Sequence, residues 1–153
     1  SDYLIFMAYD QYGASSTKPG TTAGYNWVEA NVKKFLGQED VDPEKIILGI
    51  PLYMRLWEEE EDGTAKPEVV NMRNMFDVLP ENQVATWDEE LKQYYVEYEE
   101  DGKKYKMWIE NEKSVGEKIN LANQYNLAGI AFWEKDRETN DEFWTFVKEQ
   151  LNK

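Results

Sequence analysis

Two side chains that could bind a substrate, Tyr9 and Asp10, stand where an apolar stretch of the sequence ends. Residues 3–8 are almost continuously apolar, which is typical of a strand buried on both faces of a parallel sheet. Polar groups at the C-terminal end of such a strand lie where α/β barrels build their active sites. Tyr9 and Asp10 are therefore candidate site residues. The alternative is that they only end a core strand and begin a turn.

Two later stretches have the same design. Residues 46–53 are apolar and lead into Arg55 and Trp57, and residues 127–133 are apolar and lead into Glu134. The carboxyl ends of neighbouring parallel strands meet at one edge of a sheet. Three buried strands that each end in aromatic and charged groups predict the floor of a binding pocket, which favours a site over a simple turn.

The composition excludes several kinds of chemistry. The chain has no cysteine and no histidine, which excludes thiol catalysis, disulfides, zinc sites with Cys or His ligands, and histidine-based triads. Its net charge of −14 repels phosphate groups, so we expect neither nucleic acid nor a membrane as a partner. The acidic run at residues 58–62 lacks the ligand spacing of a calcium loop and predicts a solvated loop. We expect no metal and no cofactor.

The length of 153 residues suits one domain. The sequence shows no signal peptide and no membrane span. It begins inside a predicted strand, so we expect the natural N-terminus to lie further upstream. Residues 11–24, rich in Gly, Ser and Thr, predict a long loop, and residues 25–36 predict a helix ended by Gly37.

The second half of the chain predicts a hairpin and two helices. Residues 93–98 and 103–108 alternate apolar and polar side chains around an Asp-Gly turn, which is typical of a β-hairpin. Ser114 and Glu117 have the spacing of a capping box at the start of a helix. Residues 140–151 predict a last helix whose buried face contains Phe143, Phe146, Val147 and Leu151.

Three linked motifs resemble strands six, seven and eight of the family-18 glycoside hydrolases, which are chitinase-like (β/α)8 barrels. They are Met-Ala-Tyr-Asp at residues 7–10, Leu-Gly-Ile-Pro-Leu-Tyr-Met-Arg-Leu-Trp at residues 48–57, and Gly-Ile-Ala-Phe-Trp at residues 129–133. The sequence between these motifs is most similar to that of bacterial cell-wall and spore-cortex members of the family. A whole barrel typically needs about 250 residues, so the resemblance implies only part of one.

The resemblance implies an α/β fold: the last three βα units of a TIM barrel, with a small α+β insertion between strands seven and eight. We place barrel units at residues 1–57, the insertion at 58–108, and the last unit with its C-terminal helix at 109–153. Such a partial barrel would have two open sheet edges and an uncovered interior face. We assign Leu4, Phe6, Ile50, Ile130 and Phe132 to that face and expect the chain to self-associate through it.

The resemblance also implies a reaction. Family-18 enzymes are an exception to the two-carboxylate rule and use substrate assistance, in which the acetamido oxygen of the sugar attacks its own anomeric carbon. Their general acid lies in an Asp-x-x-Asp-x-Asp-x-Glu motif on strand four, which this sequence does not contain. No catalytic acid is therefore expected in this chain, and Tyr9 and Asp10 would assist by holding the acetamido group.

The remaining site residues follow from the same resemblance. Trp133 matches a tryptophan beneath the sugar, Arg55 matches a sugar-contacting arginine, and Met7 lines the base of the pocket. Weaker candidates are Tyr53, Trp57, Glu134 and Glu110, and for Glu110 a surface role is an equal alternative.

Three hypotheses stay open. The chain is the C-terminal part of a secreted or cell-wall-associated hydrolase of N-acetylglucosamine polymers, chitin or peptidoglycan; a sugar-binding relative without catalysis; or a structural module whose aromatic residues only fill a core.

Overall fold

The computed structural model describes residues 2–153. Eight strands are defined: β1 Leu4–Met7, β2 Ile46–Pro51, β3 Tyr53–Glu59, β4 Ala65–Asn71, β5 Thr86–Asp88, β6 Gln93–Glu100, β7 Lys103–Ile109 and β8 Gly129–Trp133. The α-helices are α1 Tyr25–Leu36, α2 Met75–Val78, α3 Glu112–Gln124 and α4 Glu142–Leu151, and short 3₁₀ turns span Pro43–Lys45 and Met72–Asn74. The predicted α/β class is confirmed.

The three predicted apolar strands pair in parallel in the order β1-β2-β8. Phe6 lies opposite Leu48, and Leu48 lies opposite Ile130, so the three runs share one register. Helix α1 connects β1 to β2 and α3 precedes β8, as βα units require. The carboxyl ends of all three strands therefore meet at one edge of this sheet.

The assignment of side chains to the two faces of this sheet is wrong for most of the five residues. Phe6 stacks on Phe35 of α1 with ring centroids 6.0 Å apart, and Phe132 contacts Phe143 of α4 at 5.5 Å. Ile50 is fully buried. Side chains alternate along a strand, so an apolar run does not reveal which alternate set faces the helices.

The uncovered face carries the other alternate set. Ile5, Met7 and Trp133 are 55%, 66% and 52% exposed, which is unusual for large apolar side chains that lie on one sheet. Leu4, at the start of the edge strand, is also partly exposed at 44%. The structure thus confirms that an apolar sheet face is open, although its residues differ from those expected.

A five-stranded antiparallel sheet follows in the order β4-β3-β7-β6-β5. The predicted hairpin is confirmed as β6 and β7, and Asp101 and Gly102 both have positive φ, 52° and 76°, as a two-residue type I′ turn requires. Only Leu52 separates β2 from β3. Strand β3 continues past residue 57, and β7 continues past residue 108. The boundaries drawn at those two positions stay predictions.

Helix α1 has the predicted bounds, with Val28 and Val32 buried. Helix α3 begins earlier than expected, and its capping box is Asn111 with Ser114. The Ser114–Glu117 box is therefore wrong, because Asn111 is an equally good cap three residues upstream.

Helix α4 buries Phe143 and Val147, whereas Leu151 is 43% exposed in the last turn and does not belong to the buried face. Over residues 2–153 the helices are too short or too polar to cross a membrane.

Candidate functional site

The Asp10 carboxylate is the centre of a polar cluster just past the end of β1. Its Oδ1 accepts hydrogen bonds from the Tyr53 hydroxyl at 2.7 Å and from Arg55 Nη2 at 2.9 Å. Asp10 has a left-handed φ of 57°, a conformation that aspartate adopts more readily than most residues. Its side chain is 48% exposed, so the carboxylate is anchored on one side and open to solvent on the other.

Strand β3 supplies both donors because Tyr53 and Arg55 are two residues apart and so lie on the same face of it. Tyr53 is 4% exposed and Arg55 is 7% exposed. The Arg55 guanidinium lies 5.7 Å from the centre of the Tyr53 ring, and its buried Nε has no hydrogen-bond partner within residues 2–153. Burial and packing hold both donors in place, which preorganises the Asp10 carboxylate.

Tyr9 lies against the same cluster. Its ring is 6.4 Å from the Tyr53 ring in an edge-on arrangement. A side chain at Gly49 would meet the Phe6 carbonyl oxygen at 2.9 Å and the Tyr9 ring at 3.1 Å, so glycine on β2 makes room for the phenol.

Burial raises the pKa of the Tyr9 hydroxyl, and the nearby Asp10 charge raises it further. Burial, followed by the hydrogen bond to Asp10, raises the pKa of Tyr53 in the same direction. Both phenols therefore remain protonated donors at neutral pH.

Trp133 ends β8 on the open face that also carries Met7. The Trp133 carbonyl accepts from the Leu52 amide at 2.8 Å, which ties the end of β8 to the junction between β2 and β3. The peptide bond from Trp133 to Glu134 is cis. The exposed indole is the one large aromatic surface offered by the carboxyl end of β8.

Glu134 is connected to the Asp10 cluster through Arg137, a residue that the sequence analysis did not identify. Its Oε1 accepts from Arg137 Nη2 at 2.9 Å, and the Arg137 guanidinium lies 5.6 Å from the Tyr53 ring. Arg55 and Arg137 thus both lie within 6 Å of the Tyr53 ring centre. The spacing of Glu134 and Arg137, an opposite-charge pair three residues apart after a buried strand, is the signal that could have identified Arg137.

Two candidate residues lie elsewhere. Trp57 is fully buried, and its indole N–H donates to the Gly20 carbonyl at 2.9 Å, so it holds the 11–24 loop and offers no face to a ligand as placed. Glu110 is 1% exposed, which makes a surface role wrong. Its Oε1 lies 2.6 Å from Nζ of Lys118 in a buried ion pair.

The acidic run shows no metal-binding geometry. Glu58 pairs with Lys103 and Glu60 pairs with Lys66, each in an exposed ion pair. The part of the chain that the structure describes contains no group of three acidic side chains arranged to hold a metal ion. Lysines on neighbouring strands therefore pair with part of this acidic run.

Comparison with known proteins identifies relatives of this chain. Residues 1–138 match the family model described as glycosyl hydrolases family 18. An uncharacterised glycosylase of Bacillus subtilis, YvbX, is 28% identical over 97% of this chain and 42% of its own length. The cortical fragment-lytic enzyme of the same bacterium is 22% identical over 99% of this chain and 35% of its own length.

A solved structure has the same fold. The crystal structure of a chitinase from Chromobacterium violaceum superposes with a TM-score of 0.86 at 28% identity, covering 100% of this chain and 46% of the chitinase chain. The chain therefore spans less than half the length of each of these three proteins. The resemblance inferred from the three strand motifs is confirmed: this chain belongs to glycosyl hydrolase family 18.

Proposed function

We propose that this chain forms the strand-six-to-eight wall of the sugar cleft in a family-18 glycosidase that is secreted or attached to the cell wall. Its substrate would be a β-1,4-linked polymer containing N-acetylglucosamine, either chitin or peptidoglycan. The observation that carries the proposal is the Asp10 carboxylate, anchored by Tyr53 and Arg55, half exposed and adjacent to the Tyr9 phenol.

In the proposed reaction the acetamido oxygen of the bound sugar attacks the anomeric carbon while the bond to the leaving oxygen breaks. The acetamido nitrogen gains positive charge as this bond forms. Asp10 Oδ1 is occupied by Tyr53 and Arg55, which leaves Oδ2 to accept from the acetamido N–H. The Tyr9 hydroxyl donates to the acetamido oxygen and orients it. A preorganised group aimed at developing charge contributes a few kcal/mol to lowering the barrier.

The leaving oxygen needs a proton that these residues do not supply. The sequence lacks the strand-four motif that carries the acid in this family, so we propose that the acid lies in a part of the full-length protein outside this chain. Trp133 would place its exposed indole face under the sugar ring. This chain alone would then bind the acetamido side of the sugar and leave it uncleaved, since general acid catalysis typically contributes about 10²–10⁴-fold.

The test is steady-state kinetics of the full-length protein on a chitin oligomer and on peptidoglycan. Asp10→Asn keeps an oxygen for Tyr53 and Arg55 but removes the charge, and we expect kcat to fall roughly 10²–10³-fold with a small change in KM. Tyr9→Phe should also lower kcat more than it raises KM. Asp62→Asn, in an exposed turn where Asp62 accepts from the Thr64 amide, is the matched control and should leave both constants unchanged.

Unchanged kcat and KM in Asp10→Asn would overturn the assignment of the Asp10 cluster to the sugar-binding site. Binding of the oligomer without turnover by the full-length protein would favour the alternative of a sugar-binding relative. If residues 1–153 alone release reducing ends, and Asp10→Asn abolishes this release, the proton donor lies within this chain.

A further inference from the structure

A second pair of aromatic side chains lies on the antiparallel sheet. Tyr95 of β6 and Trp108 of β7 are directly opposite in register, and their ring centres are 4.9 Å apart at an interplanar angle of 42°. Both rings are partly exposed. With Thr86, Trp87 and Asp88 of β5 they line a shallow concavity of about 300 Å³. This concavity shares none of its lining residues with the Asp10 cluster.

The concavity lies on the same face of the sheet as Arg55. Trp57 pairs with Lys106, and residues two positions apart on a strand share a face, so Arg55 and Trp108 point to the same side. Neighbouring strands are about 4.8 Å apart, which places Tyr95 roughly 10 Å from the strand that carries Arg55. A polymer with several sugar units is long enough to contact both regions.

The lining chemistry suits a neutral sugar. None of the five lining residues is cationic, and the chain has a net charge of −14, so a phosphate-bearing ligand would be repelled. Two aromatic rings offer apolar faces for sugar C–H groups, while the Thr86 hydroxyl and the Asp88 carboxylate offer partners for sugar hydroxyls. Asp88 Oδ1 already accepts from the Glu90 and Leu91 amides, which fixes the orientation of its carboxylate.

The two rings are held in place before any ligand binds. The Tyr95 hydroxyl donates to Glu97 Oε2 at 2.6 Å. Trp108 is on β7, which pairs with β3 on one side and with β6 on the other. Aromatic side chains have few rotatable bonds, and a preorganised surface loses little entropy on binding. The pair therefore has the rigidity of a binding surface as well as its chemistry.

We propose that Tyr95 and Trp108 form a second sugar-binding surface, which holds a stretch of the polysaccharide outside the Asp10 site. The choice of an N-acetylglucosamine polymer as ligand rests on the proposed function, whereas the location of the surface rests on the ring pair and its concavity.

The experiment is an NMR titration of this chain with an oligomer of four N-acetylglucosamine units, following the tryptophan indole N–H signals. Trp108→Phe and Trp133→Phe assign the two reporting signals, one for each site. Tyr95→Ala should weaken binding read at Trp108 by roughly three- to tenfold, the range expected for losing one favourable ring contact. Tyr105→Ala is the matched control, since Tyr105 stacks on Tyr98 at 5.1 Å on the opposite face of the same hairpin.

The two signals separate this inference from the proposed function. A shift of the Trp108 signal that Tyr95→Ala weakens and Tyr105→Ala does not supports the second surface, whether or not the Trp133 signal moves. If Trp133 responds and Trp108 does not, the second surface is overturned and the Asp10 site stands. Equal weakening by Tyr95→Ala and Tyr105→Ala would also overturn it, because the effect would then come from the hairpin as a whole.

Discussion

Replacing Lys118 by methionine should destabilise the chain more than any surface charge replacement. The side chains of Lys118 and Glu110 are 1% and 0% exposed, and Lys118 Nζ lies 2.6 Å from Glu110 Oε1. Ser114 Oγ donates to the same carboxylate at 2.8 Å, and Gln93 Nε2 donates to its other oxygen at 2.8 Å. Lys118→Met keeps the aliphatic stem but leaves a buried carboxylate without its counter-charge.

Removing one partner of a buried ion pair typically costs about 3–5 kcal/mol, against a total stability of about 5–15 kcal/mol for a domain. In a domain of this size each kcal/mol lowers Tm by about 2–4 °C, so we expect a fall of about 6–20 °C. Urea unfolding at one fixed protein concentration measures the free energy of unfolding directly.

The matched control is Lys103→Met, which breaks an exposed pair with Glu58 and should leave stability unchanged. The double variant Glu110→Gln/Lys118→Met removes both charges and keeps an acceptor for Gln93, so it should recover most of the loss. If Lys118→Met unfolds at the same urea concentration as Lys103→Met, the ion pair contributes nothing and the reasoning from burial fails.

Three further predictions concern the cap, the phenols and the open face. Asn111→Ala should cost about 1 kcal/mol in urea unfolding, whereas Glu117→Ala, outside the observed capping box, should cost much less; equal losses would contradict the box. The pKa of Tyr53 is raised in the folded chain, so its protonation stabilises the fold fully below about pH 10 and less as the pH rises further. Tyr53→Phe should therefore reduce the loss of unfolding free energy between about pH 9 and 11. An unchanged slope of unfolding free energy against pH would contradict this. Sedimentation at micromolar concentration should show self-association through the exposed apolar face of the parallel sheet, and Ile5→Asp should reduce it. A compact monomer would contradict this prediction.

Local patterns in the sequence predicted those elements whose causes are local. The helix at residues 25–36 has its own apolar stripe and a glycine after its last turn, and its bounds are exact. The β6–β7 hairpin follows from alternation and from an Asp-Gly pair that accepts positive φ. The three apolar runs predicted the parallel sheet because strands covered by helices need no polar face.

Features that depend on distant partners could not be predicted in the same way. Phe6 faces α1 because of its stacking on Phe35, twenty-nine positions away, and nothing within residues 3–8 distinguishes it from Ile5. The burial of Glu110 depends on Gln93 from β6 and on Lys118 from α3. A signal for that cluster was present, since Glu110, Ser114 and Lys118 are spaced by four residues, the spacing of one face of a helix.

The position of the antiparallel sheet sets the geometry of the candidate site. Asp10 comes from the end of the parallel sheet, but its two hydrogen-bond donors, Tyr53 and Arg55, come from the first strand of the antiparallel sheet. The loop that begins after Asp10 is held to that same sheet where Trp57 donates to the Gly20 carbonyl. A shift of the antiparallel sheet would therefore move both donors and the loop together, while β1 stayed in place. Because Tyr53 and Arg55 belong to β3, the antiparallel sheet is part of the structure that positions Asp10, rather than an accessory attached beside it.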